Sequence, residues 1–242
     1  MSAYSTIDGI VNQYRMFYPY RLIKDMDMPD HIKIGTMLVG SLDIRYPGYG
    51  MSVVNKILEH SRPEYIWPRR PTDEISYAIN QVGQSLFYDR KFREQVLNAY
   101  ESNAKPAIDR FRTYQSELWH LKTYTDPFIS SMSDWKSVAK LYSQYRQADE
   151  MDRLFLLFDM PLELVPMIES IDNMEKRYGD LIEQDLKDVP KSVYEQLGIK
   201  DAVLDNEKYG LLFPYLYMIK DLQTILDKSD FGNLNLILGN SK

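Results

Sequence analysis

Between Ser131 and Phe158 the chain reads SMSDWKSVAKLYSQYRQADEMDRLFLLF, without a glycine or proline. Trp135, Val138, Tyr142, Tyr145, Ala148, Met151, Phe155 and Phe158 follow one another at steps of three or four. That is the period of one helix face. Ser131 can cap the first turn, and Asp134 stands where the positive end of a helix favours a carboxylate. Pro161 closes the stretch, since proline has no amide hydrogen and disfavours helical geometry in the residue before it. The spacing predicts one continuous helix over 131–158, about 40 Å long at the usual rise and the spine of the fold.

The two ends of this stretch differ. Lys136, Lys140, Gln144, Arg146 and Gln147 give the first part a solvated side, whereas Leu154 to Phe158 is apolar all round. A helix with no polar side has to be covered on every side. Burial in the chain's own core is the favoured reading, and cover by a partner chain the other.

The chain has 242 residues, 44% of them hydrophobic and 26% charged, as expected of a folded protein rather than a disordered one. The formal net charge of −6 disfavours general binding to nucleic acid or anionic membranes. With no cysteine, there is no disulfide framework, thiolate zinc site or cysteine nucleophile. An intracellular or virus-assembled protein fits. The start, MSAYSTIDGIV, has no basic region followed by an apolar run, so no secretory signal is expected. The run Leu211–Ile219 is interrupted by Pro214 and too short to span a bilayer. The 19 tyrosines and 12 methionines suit half-wet contact surfaces, although drift in composition would also produce them.

Helical periods recur along the rest of the chain. Ile7, Ile10, Val11, Tyr14 and Phe17 share one face. Ile32 to Ile44 fits a helix weakened by Gly35 and Gly40 better than a strand pair, because no second clear strand exists to pair with it. A short helix over 51–60 precedes Arg62-Pro63-Glu64-Tyr65-Ile66-Trp67-Pro68-Arg69-Arg70-Pro71, which is too rich in proline for regular helix and reads as an extended arm or linker. Further helices are expected from Thr72 to Phe87, over 89–102, and from Pro106 to a stop at Thr125-Asp126-Pro127. Beyond the spine, a helix over 167–178 is expected to close at Gly179, followed by a short one after Pro190 and a last one over 209–226 bent or begun at Pro214. The fold class is therefore all-α: an irregular multi-helix bundle with a long central helix and a proline-rich arm. The expected division is residues 1–61, the arm 62–71, and a main helical domain 72–242.

Signals of chemistry are sparse. Asp25, Asp27, Asp30 and His31 could offer oxygens and an imidazole to a hard cation, but they lack the calcium-loop spacing and read equally as a solvated turn. His31, His60 and His120 are far apart and form no metal-binding pair. No nucleophile elbow or glycine-rich phosphate loop occurs, and Asp230-Phe231-Gly232 has no catalytic loop before it. Glu169 and Asp172 would share a helix face near the Asp149, Glu150 and Asp152 group, as carboxylate pairs do in helical bundles, yet solvated faces look the same.

The expected function is that of a non-catalytic structural or accessory subunit, working by contact with other protein subunits of an assembly. An accessory subunit of a mitochondrial energy-transducing complex and a minor structural component of a virus particle both fit. The contact residues expected are Phe17, Tyr18 and Tyr20 of the N-terminal segment and Tyr65, Trp67, Arg69 and Arg70 of the arm. No catalytic, metal or cofactor-binding residue is assigned. The competing readings are a helical-bundle enzyme with a carboxylate or metal site, and a nucleic-acid adaptor built on Arg69 and Arg70.

Overall fold

The computed structural model describes residues 7, 9, 19–45, 50–61, 73–131, 135–189, 191–196 and 206–228. Among them every regular element is helical, so the fold is all-α. No helix of the described residues is long and apolar enough to cross a membrane. The chain forms two compact units, Met1–Arg112 and Thr113–Lys242. The division thus falls at 112/113, and helices from both sides of the expected 62–71 arm belong to the first unit. The arm itself lies outside the described residues.

The first unit contains α1 (Pro19–Lys24), α2 (Asp30–Arg45), α3 (Gly50–His60), α4 (Glu74–Tyr88) and α5 (Arg90–Ala99). Its centre is α2, the segment that reads as helix or strand pair from sequence. Residues 34–40 of α2 are all buried, as its all-round apolar pattern requires. The helices α1, α3, α4 and α5 each pack on it. Gly35 lets α5 come close: a Cβ there would lie 2.7 Å from Val96 Cγ2. Asp89 serves both sides of the α4–α5 joint. Its amide donates to Ser85 O, ending α4, and its carboxylate accepts from the amide of Phe92, starting α5. Arg93 fixes the same joint by donating to Leu86 O and Phe87 O.

Where a break before Pro106 is expected, the helix continues. A π-helical turn, Tyr100–Ala104, joins α5 to α6 (Lys105–Ser131). Pro106 cannot donate to the carbonyl four residues back and its ring crowds it, which a widened turn relieves. The turn places Tyr100 in the first unit's core, where its hydroxyl donates to the buried Asp43 at 2.7 Å. Arg112 and Lys105 reach the same carboxylate at 3.7 and 4.0 Å.

The second unit takes the rest of α6, together with α7 (Trp135–Gln147), α8 (Glu150–Asp159), α9 (Val165–Asp188), α10 (Lys191–Gln196), α11 (Asn206–Tyr209) and α12 (Leu212–Lys228). Three boundaries differ from the sequence reading. First, α6 runs through Pro127. The proline is exposed while Thr125 and Ile129 on either side of it are buried, so packing holds the last turn. Second, Gly179 does not close α9. The helix kinks at Tyr178 (φ −131°, ψ 19°) and goes on, because Leu181, Ile182 and Leu186 continue the buried side begun by Ile171 and Met174. Third, the 131–158 spine is two helices, α7 and α8, and Ser131, expected to cap its first turn, is instead the last residue of α6. Asp149 is extended (φ −70°, ψ 176°) and its carboxylate accepts from the amide of Asp152, starting a new helix.

Candidate functional site

Splitting the spine puts its two halves in opposite environments. On α7, Val138, Tyr142 and Tyr145 are buried, whereas α8 has no buried residue. Met151 is 62% exposed, Leu154 50%, Phe155 62% and Phe158 85%, and Leu162 in the following turn is 83% exposed. The reading of 154–158 as a segment of the chain's own core is therefore overturned. Met151, Leu154, Phe155 and Phe158 stand at i, i+3, i+4 and i+7 and form one continuous strip. With Leu162 it amounts to an apolar surface on the order of several hundred Å², at the size where a patch marks a contact site.

The remainder of α8 fastens it to its unit. Arg153 turns away from the strip, its Nε donating to Tyr145 O and its Nη2 to Arg146 O, both at 3.0 Å. It thereby satisfies carbonyls at the end of α7, and its guanidinium lies over the Tyr145 ring. Beyond α8, Met160 and Leu164 are buried, and the amide of Leu164 donates to Pro161 O. Both ends of α8 are anchored while its outer face stays bare.

Carboxylates border the strip. Asp149, Glu150, Asp152, Asp159 and Glu163 are all exposed, and among the described residues none of them is in an ion pair shorter than 4 Å. At about 100° of turn per residue, Asp152 and Asp159 fall along one edge of the apolar strip and Glu150 along the other.

The other carboxylates singled out by spacing take different roles. Glu169 is exposed, and Asp172 is buried with Lys176 Nζ at 2.6 Å. Glu175, one turn from Asp172, is the centre of a buried network. It accepts from the Tyr142 hydroxyl at 2.8 Å and the Leu211 amide at 3.0 Å, and pairs with Arg146 at 2.8 Å. Burial foremost, then the Glu175 charge, holds the Tyr142 phenol far above its usual range. A second network joins Tyr114 and Tyr215, both donating to Asp185 at 2.9 and 2.8 Å. Tyr178 and Arg177 both reach Glu117. With Tyr100 on Asp43, five of the 19 tyrosines thus make phenol–carboxylate bonds between helices within a unit.

No group of three His, Cys, Asp or Glu among the described residues is arranged to hold a metal. Asp25 and Asp27 are exposed in the turn before α2, Asp30 opens that helix, and His31 stacks on Phe92 at 5.9 Å. His120 lines an open groove of about 360 Å³ with Glu117, Tyr124, Asn173 and Arg177, and His60 is exposed at the end of α3. Of the expected contact residues, Tyr20 is buried in the core of the first unit. Phe17, Tyr18, Tyr65, Trp67, Arg69 and Arg70 lie outside the described residues.

The α8 strip was within reach of sequence reading, since an apolar run over 154–158 has either to be buried or to be covered. The signal that decides between them is Asp149-Glu150-Met151-Asp152, a cap followed by acidic residues, which is how a helix begins. No protein-family model, no curated protein and no solved structure matches the chain.

Proposed function

We propose that the protein is a non-catalytic subunit of a larger protein assembly and that α8 is a surface through which it is held there. One observation carries this reading: four large apolar side chains on one face of a ten-residue helix, and a fifth in the next turn, are half to five-sixths exposed while both ends of the helix are anchored. Exposed aromatic residues elsewhere, such as Tyr77, Tyr88 and Trp119, are scattered over other helices. Single exposed apolar residues are ordinary, but a contiguous strip left in water favours association. A backbone already held as helix loses little conformational freedom on docking, and Phe155 and Phe158 have only two side-chain torsions each to fix. The two settings that fit the composition, a mitochondrial energy-transducing complex and a virus particle, both consist of such subunits.

A photo-crosslinking residue at position 158, compared with one at position 88, tests the proposal in the organism that makes the protein. The expected result is one discrete crosslinked product from position 158 and none from position 88, where Tyr88 is 73% exposed. Equal or absent crosslinking at the two positions would overturn it.

A further inference from the structure

The border of the α8 strip identifies its occupant more closely. Resting on the reading of α8 as a contact surface, we infer that it receives an amphipathic helix of another protein whose apolar face is flanked by lysine or arginine.

The inference stands on charge as well as on apolar area. Glu150 lies along one edge of the strip and Asp152 and Asp159 along the other, with Asp149 and Glu163 at its two ends. The one cation in this stretch, Arg153, is turned back onto the carbonyls of Tyr145 and Arg146. The surface offered to a partner is therefore apolar along its centre and negative around it. Cations placed beside an apolar stripe complement both features, and electrostatic complementarity of this kind selects partners and fixes their register.

A second copy of the chain fits poorly. Pairing α8 with itself about a two-fold axis sets the Asp152 and Asp159 edge of one copy against the same edge of the other in an antiparallel pair, or against the Glu150 edge in a parallel one, and like charges across a contact are unfavourable. An anionic bilayer is repelled by the same border.

The test uses the full chain and two synthetic helical peptides of equal length, one of leucine and lysine, the other of leucine and glutamate, measured by fluorescence anisotropy at low and high salt. The leucine–lysine peptide is expected to bind at least about tenfold more tightly, with affinity falling as salt rises. Phe155→Ser with Phe158→Ser is expected to abolish binding. Asp152→Asn with Asp159→Asn is expected to reduce the preference for lysine by about tenfold while leaving the leucine–glutamate peptide unaffected or better bound. If the phenylalanine variant loses binding but both peptides bind alike, or the asparagine variant keeps the full preference, the charged border does not select and the inference falls while the contact surface stands. If the phenylalanine variant binds the leucine–lysine peptide like the unaltered chain, the contact surface falls as well. Concentration-dependent self-association through α8, or α8-dependent binding to phosphatidylserine vesicles, would also overturn the inference.

Discussion

Gly210 packs directly on Tyr142. Its backbone is in the left-handed region (φ +74°), and a Cβ there would fall 2.3 Å from Tyr142 Cε1 and 2.9 Å from Glu175 Oε2. Through this contact the chain enters α12 beside the buried Tyr142–Glu175–Arg146 network, and Leu211 adds its amide to the same carboxylate. Conformation and space therefore both call for glycine here.

Gly210→Ala is accordingly expected to destabilise the second unit by roughly 2–4 kcal/mol, adding left-handed strain to overpacking against a ring held in place. Urea unfolding with far-UV circular dichroism would show it. Stability equal to that of the unaltered chain would mean that Tyr142 moves aside freely.

Removing the hub of that network should be costly in another way. Glu175→Ala leaves the Tyr142 hydroxyl, the Leu211 amide and Arg146 without their shared acceptor. A loss of about 2–4 kcal/mol is expected, below that for a fully buried pair because Arg146 is partly exposed. Glu175→Gln keeps an acceptor and should lose less, which a comparison of urea midpoints reads directly.

In the first unit, Gly35→Ala is expected to cost about 1–3 kcal/mol by pressing on Val96, 2.7 Å away. Adding Val96→Ala opens the space, so the double variant should be more stable than the sum of the two single losses predicts. Simple additivity in this double-mutant cycle would contradict direct packing of α2 on α5 at this point.

Alkaline pH should weaken both units. Burial foremost raises the phenols of Tyr100, Tyr114 and Tyr142 above the ordinary value of 10.0, with neighbouring carboxylates adding to the shift. The unfolded chain releases these protons near pH 10 while the folded chain retains them. Their contribution is thus fully present below pH 10 and declines as pH rises above it. Urea midpoints measured upward from pH 8.5 should fall steeply past about pH 10, and less steeply in Tyr142→Phe.

Sequence alone reached the helical class because apolar periods survive single substitutions, and it reached α2 because no second strand was available to pair. It fell short where a period continues through a break. The stripe from Val138 to Phe158 keeps its spacing across Ala148 and Asp149, yet the capping carboxylate of Asp149 redirects the chain and leaves Phe155 and Phe158 bare. Periodicity shows that a face is apolar and says nothing of what covers it. Likewise, Glu175 and Tyr142 are 33 residues apart, and only the packed fold shows that the carboxylate is occupied within the unit. Proline at 106 and 127 does not stop the helix, because a widened turn and buried neighbours let it pass.

Methionine oxidation tests the contact surface most directly. Met151 is exposed on the α8 strip, while Met37, Met167, Met174 and Met218 are buried and serve as internal references. Brief peroxide treatment followed by peptide mass analysis would be applied to the isolated full chain and to the protein in extracts of its source organism. The account predicts rapid oxidation of Met151 in the isolated chain and protection close to the buried references in the extract. Protection of Met151 in the isolated chain, or equal oxidation in both preparations, would contradict it.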